Sequence, residues 1–294
     1  MVPAVQRRSV VEEREAEALH QRAMIRRAPV PDAPDYDEPV AACAPDPHVP
    51  SQFDVRSRWY DARYDEVGPD RHALRARLEA VLELVGDGPG TALDAGMGPG
   101  RLAFELASRG WKVSGVDVSD EMVALARQRL PEAADRLVRA ELDALPFADA
   151  TFDAAVATGV LEYAGARPSL AELVRVLRPG GRLVVTYPNP RTAYGIWKTR
   201  AYYPFVRLAK RVTRRPPIRM APGVGEKIQA AAFESLLREA GVTRDETRFV
   251  SYLVLLSPLD ELLPGPAERL GRRFEGSTHH WLATQVVYAA RKPG

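Results

Sequence analysis

Residues 91–100 read Thr-Ala-Leu-Asp-Ala-Gly-Met-Gly-Pro-Gly, an apolar run ending in an aspartate, followed by three glycines at alternate positions. The run has the length of a buried strand. Arg101–Ser108 behind it has helical spacing, with Gly110 as its stop. A glycine loop between strand and helix can turn through positive φ and approach a ligand closely. It does so at the carboxyl end of the strand, where open α/β sheets bind small molecules. The same glycines would also suit a plain tight turn, so the neighbouring residues carry weight. Position 101 is arginine, which leaves a G-x-G-x-x-G dinucleotide pattern from Gly96 incomplete, and no Gly-Lys-Ser/Thr phosphate loop is present. Asp117 closes the next apolar run, 17 residues past Gly100, where a carboxylate can accept the hydrogen bonds of a ribose diol. The pattern points to a nucleoside held without pyrophosphate contacts.

Outward from this loop, strands and helices alternate. A helix is predicted over about His72–Val85, with Leu74, Leu78, Val81, Leu82 and Val85 at helical spacing. Strands follow at Lys112–Val118 and near 137–141, 153–158 and 182–187. Helices fall at Glu121–Leu130, capped by Ser119 or Asp120, and at 169–177. Arg178–Gly181 reads as a sharp turn. After an interruption at 188–224 come a helix near 226–240 and strands near 246–255 and 281–290. Such alternation predicts an α/β fold with a mostly parallel, doubly wound sheet over residues 51–294.

Residues 1–50 differ. Val10–Arg27 could be a charged helix, and seven prolines crowd residues 29–50, where missing donors oppose helix and central strand alike. This stretch is expected to be a mobile N-terminal arm. The 294 residues carry 41 basic and 39 acidic side chains, a balance that does not suit a nucleic-acid polyelectrolyte. A single cysteine, Cys43, excludes an internal disulfide framework and a cysteine-rich zinc site. No 18-residue apolar stretch occurs, and Glu12, Glu13, Glu15 and Glu17 stand where a signal peptide needs an apolar core. The expected location is cytoplasmic.

Several motifs in order carry a resemblance. They are Leu93-Asp94-x-Gly96-x-Gly98-x-Gly100, Val116-Asp117-Val118-Ser119, Leu145-Pro146-Phe147, Phe152-Asp153, Val160-Leu161-Glu162 and Arg175-Val-Leu-Arg-Pro-Gly-Gly181. Together, over roughly residues 53–290, the chain resembles class I S-adenosylmethionine-dependent methyltransferases, closest to the small-molecule, ubiquinone-biosynthesis type. The resemblance implies a Rossmann-like seven-stranded sheet with an antiparallel last strand, matching Trp281–Ala290. It implies that Gly96, Met97, Gly98 and Gly100 pass under the methionine part of S-adenosylmethionine, with Asp94 holding the loop. Asp117 would take the ribose, with Val118 and Met122 packing on the adenine. Thr158 and Gly159 would approach the amino-acid end. The family's aspartate four residues before Leu-Pro-Phe is Glu141 here, followed by Leu142 and Asp143, so Glu141 or Asp143 is expected at the adenine amino group. The implied function is methyl transfer to a small biosynthetic acceptor, secondary-metabolite or quinone/lipid-like. The alternatives are a cofactor-retaining cyclase, decarboxylase or hydrolase, and a non-catalytic binding subunit.

Methyl transfer from a sulfonium chiefly needs alignment and a dry site, with a base only where the nucleophile must lose a proton. Tyr163 stands where the family often has histidine, and His279 and His280 are the other catalytic candidates. No cluster has metal-ligand spacing, so no metal is expected. Thr158-Gly-Val-Leu161 lacks the Asn/Asp-Pro-Pro-aromatic signature of nucleic-acid and protein amino-group methylation, so no specific nucleic acid is expected. Residues 191–219 hold nine basic and no acidic residues, leaving 32 basic against 39 acidic elsewhere. Tyr194, Trp197, Tyr202, Tyr203 and Phe205 lie among them. The segment is expected to be a substrate lid for an anionic, carrier-bound or lipid-like acceptor, with an interfacial membrane contact as one version of that role. An RNA patch is a further functional reading, and a solvated basic face is the plainer alternative. Tyr60, Tyr64, Tyr163, Tyr194, Trp197, Tyr202 and Tyr203 are the candidate acceptor contacts.

Overall fold

The computed structural model describes residues 60–212 and 230–294. The arm at 1–50 and the residues 213–229 of the inserted segment lie outside them. Seven strands form one sheet in the order β3-β2-β1-β4-β5-β7-β6. These are β1 Gly90–Ala95, β2 Trp111–Asp117, β3 Leu137–Arg139, β4 Phe152–Ala157, β5 Leu177–Pro188, β6 Thr243–Tyr252 and β7 Ala283–Arg291. Strands β1 to β5 run parallel, and β7 runs antiparallel to both its neighbours.

Helices cover both faces. On one side α1 (Pro69–Val85), α2 (Arg101–Ser108) and α3 (Asp120–Arg129) bury Val81, Val85, Leu102, Leu106, Val123 and Ala126 against Ala92, Val156 and Val184. On the other, α4 (Leu161–Ala164), α5 (Ala166–Val176) and α8 (Ala230–Glu239) bury Leu161, Leu170, Leu173, Phe233 and Leu237 against Leu93, Ala155 and Leu183. Successive strand residues thus feed opposite layers, which explains why the strands read as continuous apolar runs. The inserted segment forms α6 (Ala193–Trp197), a π turn at Lys198–Tyr202 and α7 (Tyr203–Val212).

One sequence reading needs correction, and one pair of helices was not anticipated. Arg178–Gly181 is a bulge inside the long strand β5, because the β4–β5 register jumps from Phe152↔Leu177 to Ala154↔Arg182. Residues 259–274, for which no element was expected, form α9 (Leu259–Leu262) and α10 (Pro264–Phe274).

Two of the motifs work away from the glycine loop. Arg175 donates to the carbonyls of Phe147 at 2.8 Å and Leu145 at 3.1 Å, holding the Leu-Pro-Phe turn. Asp153 accepts the Thr91 amide at 2.7 Å and pairs with Arg178 at 2.5 Å, which ties β1, β4 and β5 together where they begin.

Candidate active site

Parallel register brings the ends of β1, β2 and β4 to one edge: Ala95 lies opposite Val116 and Ala157. Gly96, Asp117 and Thr158, far apart in sequence, therefore meet there.

The three loop glycines do different work. All have positive φ, but a Cβ on Gly96 would strike Val160 at 2.7 Å, and one on Gly100 would strike Ala126 of α3 at 2.9 Å. A Cβ on Gly98 would meet nothing within 4 Å. Gly96 and Gly100 serve packing, and Gly98 faces open space. Met97 turns its side chain into the core against Gly115, so only its backbone is left to a ligand.

Asp94 is fully buried at the end of β1, and neither carboxylate oxygen has a hydrogen-bond partner at good geometry, the Ala103 amide being the nearest donor to act on it. Burial, then the nearby charge of Asp117, push its pKa up to about 7 against a smaller lowering by the Ala103 amide. Asp117 is tied to the loop itself: Oδ2 accepts the Gly98 amide at 2.8 Å, and Oδ1 accepts the Ser119 amide at 3.0 Å. Ser119 caps α3 by accepting the Met122 amide at 3.2 Å, and Met122 is buried beside it. Val118 is half-buried. Of the adenine candidates, Leu142 is a core residue, whereas Glu141 and Asp143 are exposed.

Sequence reasoning missed two arginines that close this edge. Arg101, whose presence breaks the dinucleotide pattern, pairs with Asp61 at 2.6 Å and Asp65 at 2.7 Å and stacks over the Tyr64 ring. Arg129 reaches from α3 to Asp61 at 2.8 Å and also donates to the Pro99 carbonyl of the glycine loop. The segment carrying Tyr60 and Tyr64 is thereby strapped to the loop.

Beside it lies a second group. The Gly159 amide donates to Thr186 Oγ1 at 2.8 Å, and the Arg77 guanidinium of α1 lies where a Gly159 side chain would be. Arg77 donates to the Tyr60 hydroxyl at 3.2 Å. Glu162 has a buried Oε2 without a partner; burial raises its pKa, against lowering by its own backbone amide and then by Arg77. Tyr163 is half-exposed; burial and then the Glu162 charge raise its pKa. Burial likewise raises the Tyr64 pKa, with Tyr60 adding to it. Tyr60, Tyr64 and Tyr163 were expected as acceptor contacts. Arg77 and Glu162 were not.

The remaining candidates separate from this group. His279 meets Phe274 edge-on and His280 stacks on Phe249 at 4.0 Å, at the start of β7. Neither ring contact involves the Arg77 cluster. Tyr194 is buried, and its hydroxyl donates to Asp260 at 2.5 Å, so it anchors α6 to α9 and is not open to a substrate. Trp197 donates its indole N–H to the Ser257 carbonyl at 2.8 Å, with its ring partly exposed. Tyr202 and Tyr203 lie ring to ring at 5.7 Å on the turn into α7. Among the described residues no group of three or more His, Cys, Asp or Glu could hold a metal, and no helix is long and apolar enough to cross a membrane.

A buried carboxylate without a partner, a glycine facing open space and a carboxylate at the end of β2 fit a nucleoside carrying a positive charge. Comparison with known proteins agrees. Residues 93–185 match the family described as "Methyltransferase domain". The chain is 38% identical over 189 residues to a demethylmenaquinone methyltransferase of Beutenbergia cavernae, covering 60% of this chain and 75% of that one. A demethylmenaquinone methyltransferase of Mycobacterium sp. (strain KMS) is 33% identical over 210 residues, covering 65% and 87%. In fold, the chain is similar to a solved S-adenosylmethionine-dependent methyltransferase of Thermotoga maritima, with TM-score 0.55, 20% identity, and coverage of 82% of this chain and 98% of that one. The glycine loop, the sheet order and these relatives together place the chain among the class I S-adenosylmethionine-dependent methyltransferases.

Proposed function

We propose that the methyl acceptor is a quinol-type ring bearing an apolar tail, methylated in the cytoplasm at the membrane interface. The observation that carries this reading is the distribution of exposed apolar side chains. Ile196, Trp197, Phe205, Leu208, Leu259, Leu262, Leu263 and Trp281 lie on the inserted helices, on α9 and its end, and just before β7. Hydrogen bonds join these pieces: Tyr194 to Asp260, Trp197 to Ser257, and the Ala193 amide to the Trp281 carbonyl. The two relatives described above are named for a quinone acceptor, which supports the same chemistry.

S-adenosylmethionine supplies an electrophilic methyl when bound. Around it, Asp117 would hold the ribose, and Val118 and Met122 would pack on the adenine. The backbone from Gly96 to Gly100 would lie beneath the methionine part, with Thr158 and Gly159 at its amino-acid end. Asp94 would gain a positive neighbour. The Tyr60–Tyr64 strap would exclude water, and Arg77 would face the acceptor ring. The test is incubation with methyl-labelled cofactor and three acceptors: a reduced demethylmenaquinone, an acyl-carrier-protein thioester and a water-soluble catechol. Label in the quinol supports the reading, and label only in either of the others overturns it.

A further inference from the structure

Glu162 stands three residues past Gly159, at the start of α4, on the edge where β1, β2 and β4 end. Its Oε2 is buried and unpartnered. A buried carboxylate oxygen is normally hydrogen-bonded, and although the residue's own backbone amide reaches this carboxylate, the Oε2 left over at this edge calls for a ligand or a proton. The charged and titratable groups that act on it are Arg77 on α1 and Tyr163 next in sequence; Arg77 itself donates to the Tyr60 hydroxyl at 3.2 Å and interacts with Tyr64. Arg77 in turn occupies the space above Gly159, between the end of β4 and the strap.

We propose that Arg77 and Glu162 form a site for a ring hydroxyl of the acceptor, with Arg77 holding the oxygen and Glu162 Oε2 taking its proton. This rests on the quinol reading above. The acceptor's O–H bond breaks, the proton goes to Oε2, and the electron pair stays on the oxygen, where a guanidinium favours negative charge. That pair, delocalised into the ring, lets a ring carbon bond the methyl while the methyl–sulfur pair leaves with sulfur. The ring then loses the C–H proton to solvent and recovers the O–H proton from Glu162, so one proton is released overall. No oxidant or reductant enters.

The test uses the full chain saturated with S-adenosylhomocysteine and 1-naphthol as probe, because ionised naphthol absorbs at longer wavelength. Bound to the wild-type protein, naphthol should ionise at lower pH than it does free. Arg77→Met should restore the free midpoint, with Arg77→Lys in between. Glu162→Gln should keep S-adenosylhomocysteine affinity within a few-fold and still bind naphthol. With a quinol acceptor it should lower turnover by about 100-fold or more and remove the acid limb of the rate profile, and Glu162→Asp should recover part of both. Three results would overturn the inference: naphthol that does not bind, an ionisation midpoint unmoved by Arg77→Met, or wild-type turnover and profile in Glu162→Gln. If the wild-type protein shifts naphthol ionisation but labels only a non-quinol acceptor, the quinol reading fails and the hydroxyl site stands.

Discussion

Asp117 Oδ2 accepts the amide hydrogen of Gly98 at 2.8 Å, so one carboxylate is both the candidate ribose contact and a support of the loop beneath the cofactor. Replacing it by alanine removes the acceptor for two backbone amides, Gly98 and Ser119, as well as the ribose contact. Asp117→Ala should weaken S-adenosylhomocysteine by about 2–4 kcal/mol, roughly 30- to 1000-fold. It should also lower the melting temperature of the ligand-free protein, since leaving buried donors unpaired costs about 1–3 kcal/mol each. Asp117→Asn keeps one acceptor oxygen and should show the smaller loss in both. Calorimetry and thermal unfolding separate the two effects. Wild-type affinity in a folded Asp117→Ala protein would show that the ribose is held elsewhere.

The glycine loop predicts opposite phenotypes two residues apart. Gly98→Val places its side chain in open space, so the protein should fold, at a cost of about 1–2 kcal/mol for left-handed backbone, yet lose S-adenosylhomocysteine binding. Gly100→Val drives its side chain into Ala126 of α3 and should fail to fold or lose several kcal/mol. Circular dichroism and ligand titration of the two variants decide the matter. Equal folding defects in both would contradict the assignment of Gly98 to the ligand side.

The contrast also shows what was legible in the sequence. The sheet was readable because its strands are buried on both faces and end in turn residues, and an Asp-x-Gly-x-Gly-x-Gly run is local. Which glycine serves the ligand was not readable, since that depends on Val160 and Ala126, 64 and 26 positions away from Gly96 and Gly100. Arg77 was hidden for the same reason. In sequence it is one charged position on a helix read for its apolar face, and only the packing of α1 across the sheet brings it to Gly159. Helices α9 and α10 escaped notice because α9 is a single turn and because Pro264 and Pro266 at the head of α10 read as loop, although proline is tolerated in a helix's first turn.

Asp94 makes cofactor binding depend on pH. Its pKa in the folded, ligand-free chain is about 7, against an ordinary value of 3.8, so the folded state binds the proton more tightly than the unfolded chain. Stability from this group is therefore full below about pH 3.8, falls as pH rises towards 7, and then levels off, a loss of roughly 4 kcal/mol in all. A cationic ligand favours the carboxylate. S-adenosylmethionine binding should accordingly release a proton below pH 7, and affinity should rise up to about tenfold per pH unit from 5.5 to 7. Asp94→Asn should flatten this dependence and raise the ligand-free melting temperature at pH 8. An unchanged slope in the variant would assign the proton to another group.

The hydrogen bond from Tyr194 to Asp260 fixes the inserted helices to α9 without touching the glycine loop. Tyr194→Phe leaves a buried carboxylate oxygen with one fewer donor and should cost about 1–3 kcal/mol of stability. Because α6 also hangs on the Trp197–Ser257 bond, the helix should stay docked but less rigidly. KM for the acceptor should then rise several-fold while S-adenosylhomocysteine affinity stays within twofold to threefold. Equal loss of both would mean that the segment supports the cofactor pocket instead of covering the acceptor.

The exposed side chains of α7 test the interfacial role most directly. Phe205 and Leu208 are 69% and 61% exposed, three residues apart on one helical face, so charging them should leave the core intact. Burying two such side chains in lipid is worth about 3–6 kcal/mol, and a basic residue near an anionic surface adds about 1 kcal/mol. The wild-type chain should therefore sediment with vesicles containing phosphatidylglycerol, bind neutral phosphatidylcholine vesicles more weakly, and lose the electrostatic part by about 0.5 M salt. Phe205→Asp/Leu208→Asp should abolish sedimentation and raise KM for a vesicle-embedded quinol by tenfold or more. Turnover of a short-tailed, water-soluble quinol should be preserved, because that substrate reaches Arg77 without the membrane. If the double variant still sediments, or if both substrates suffer alike, α7 does not meet the bilayer and its apolar face acts within the protein.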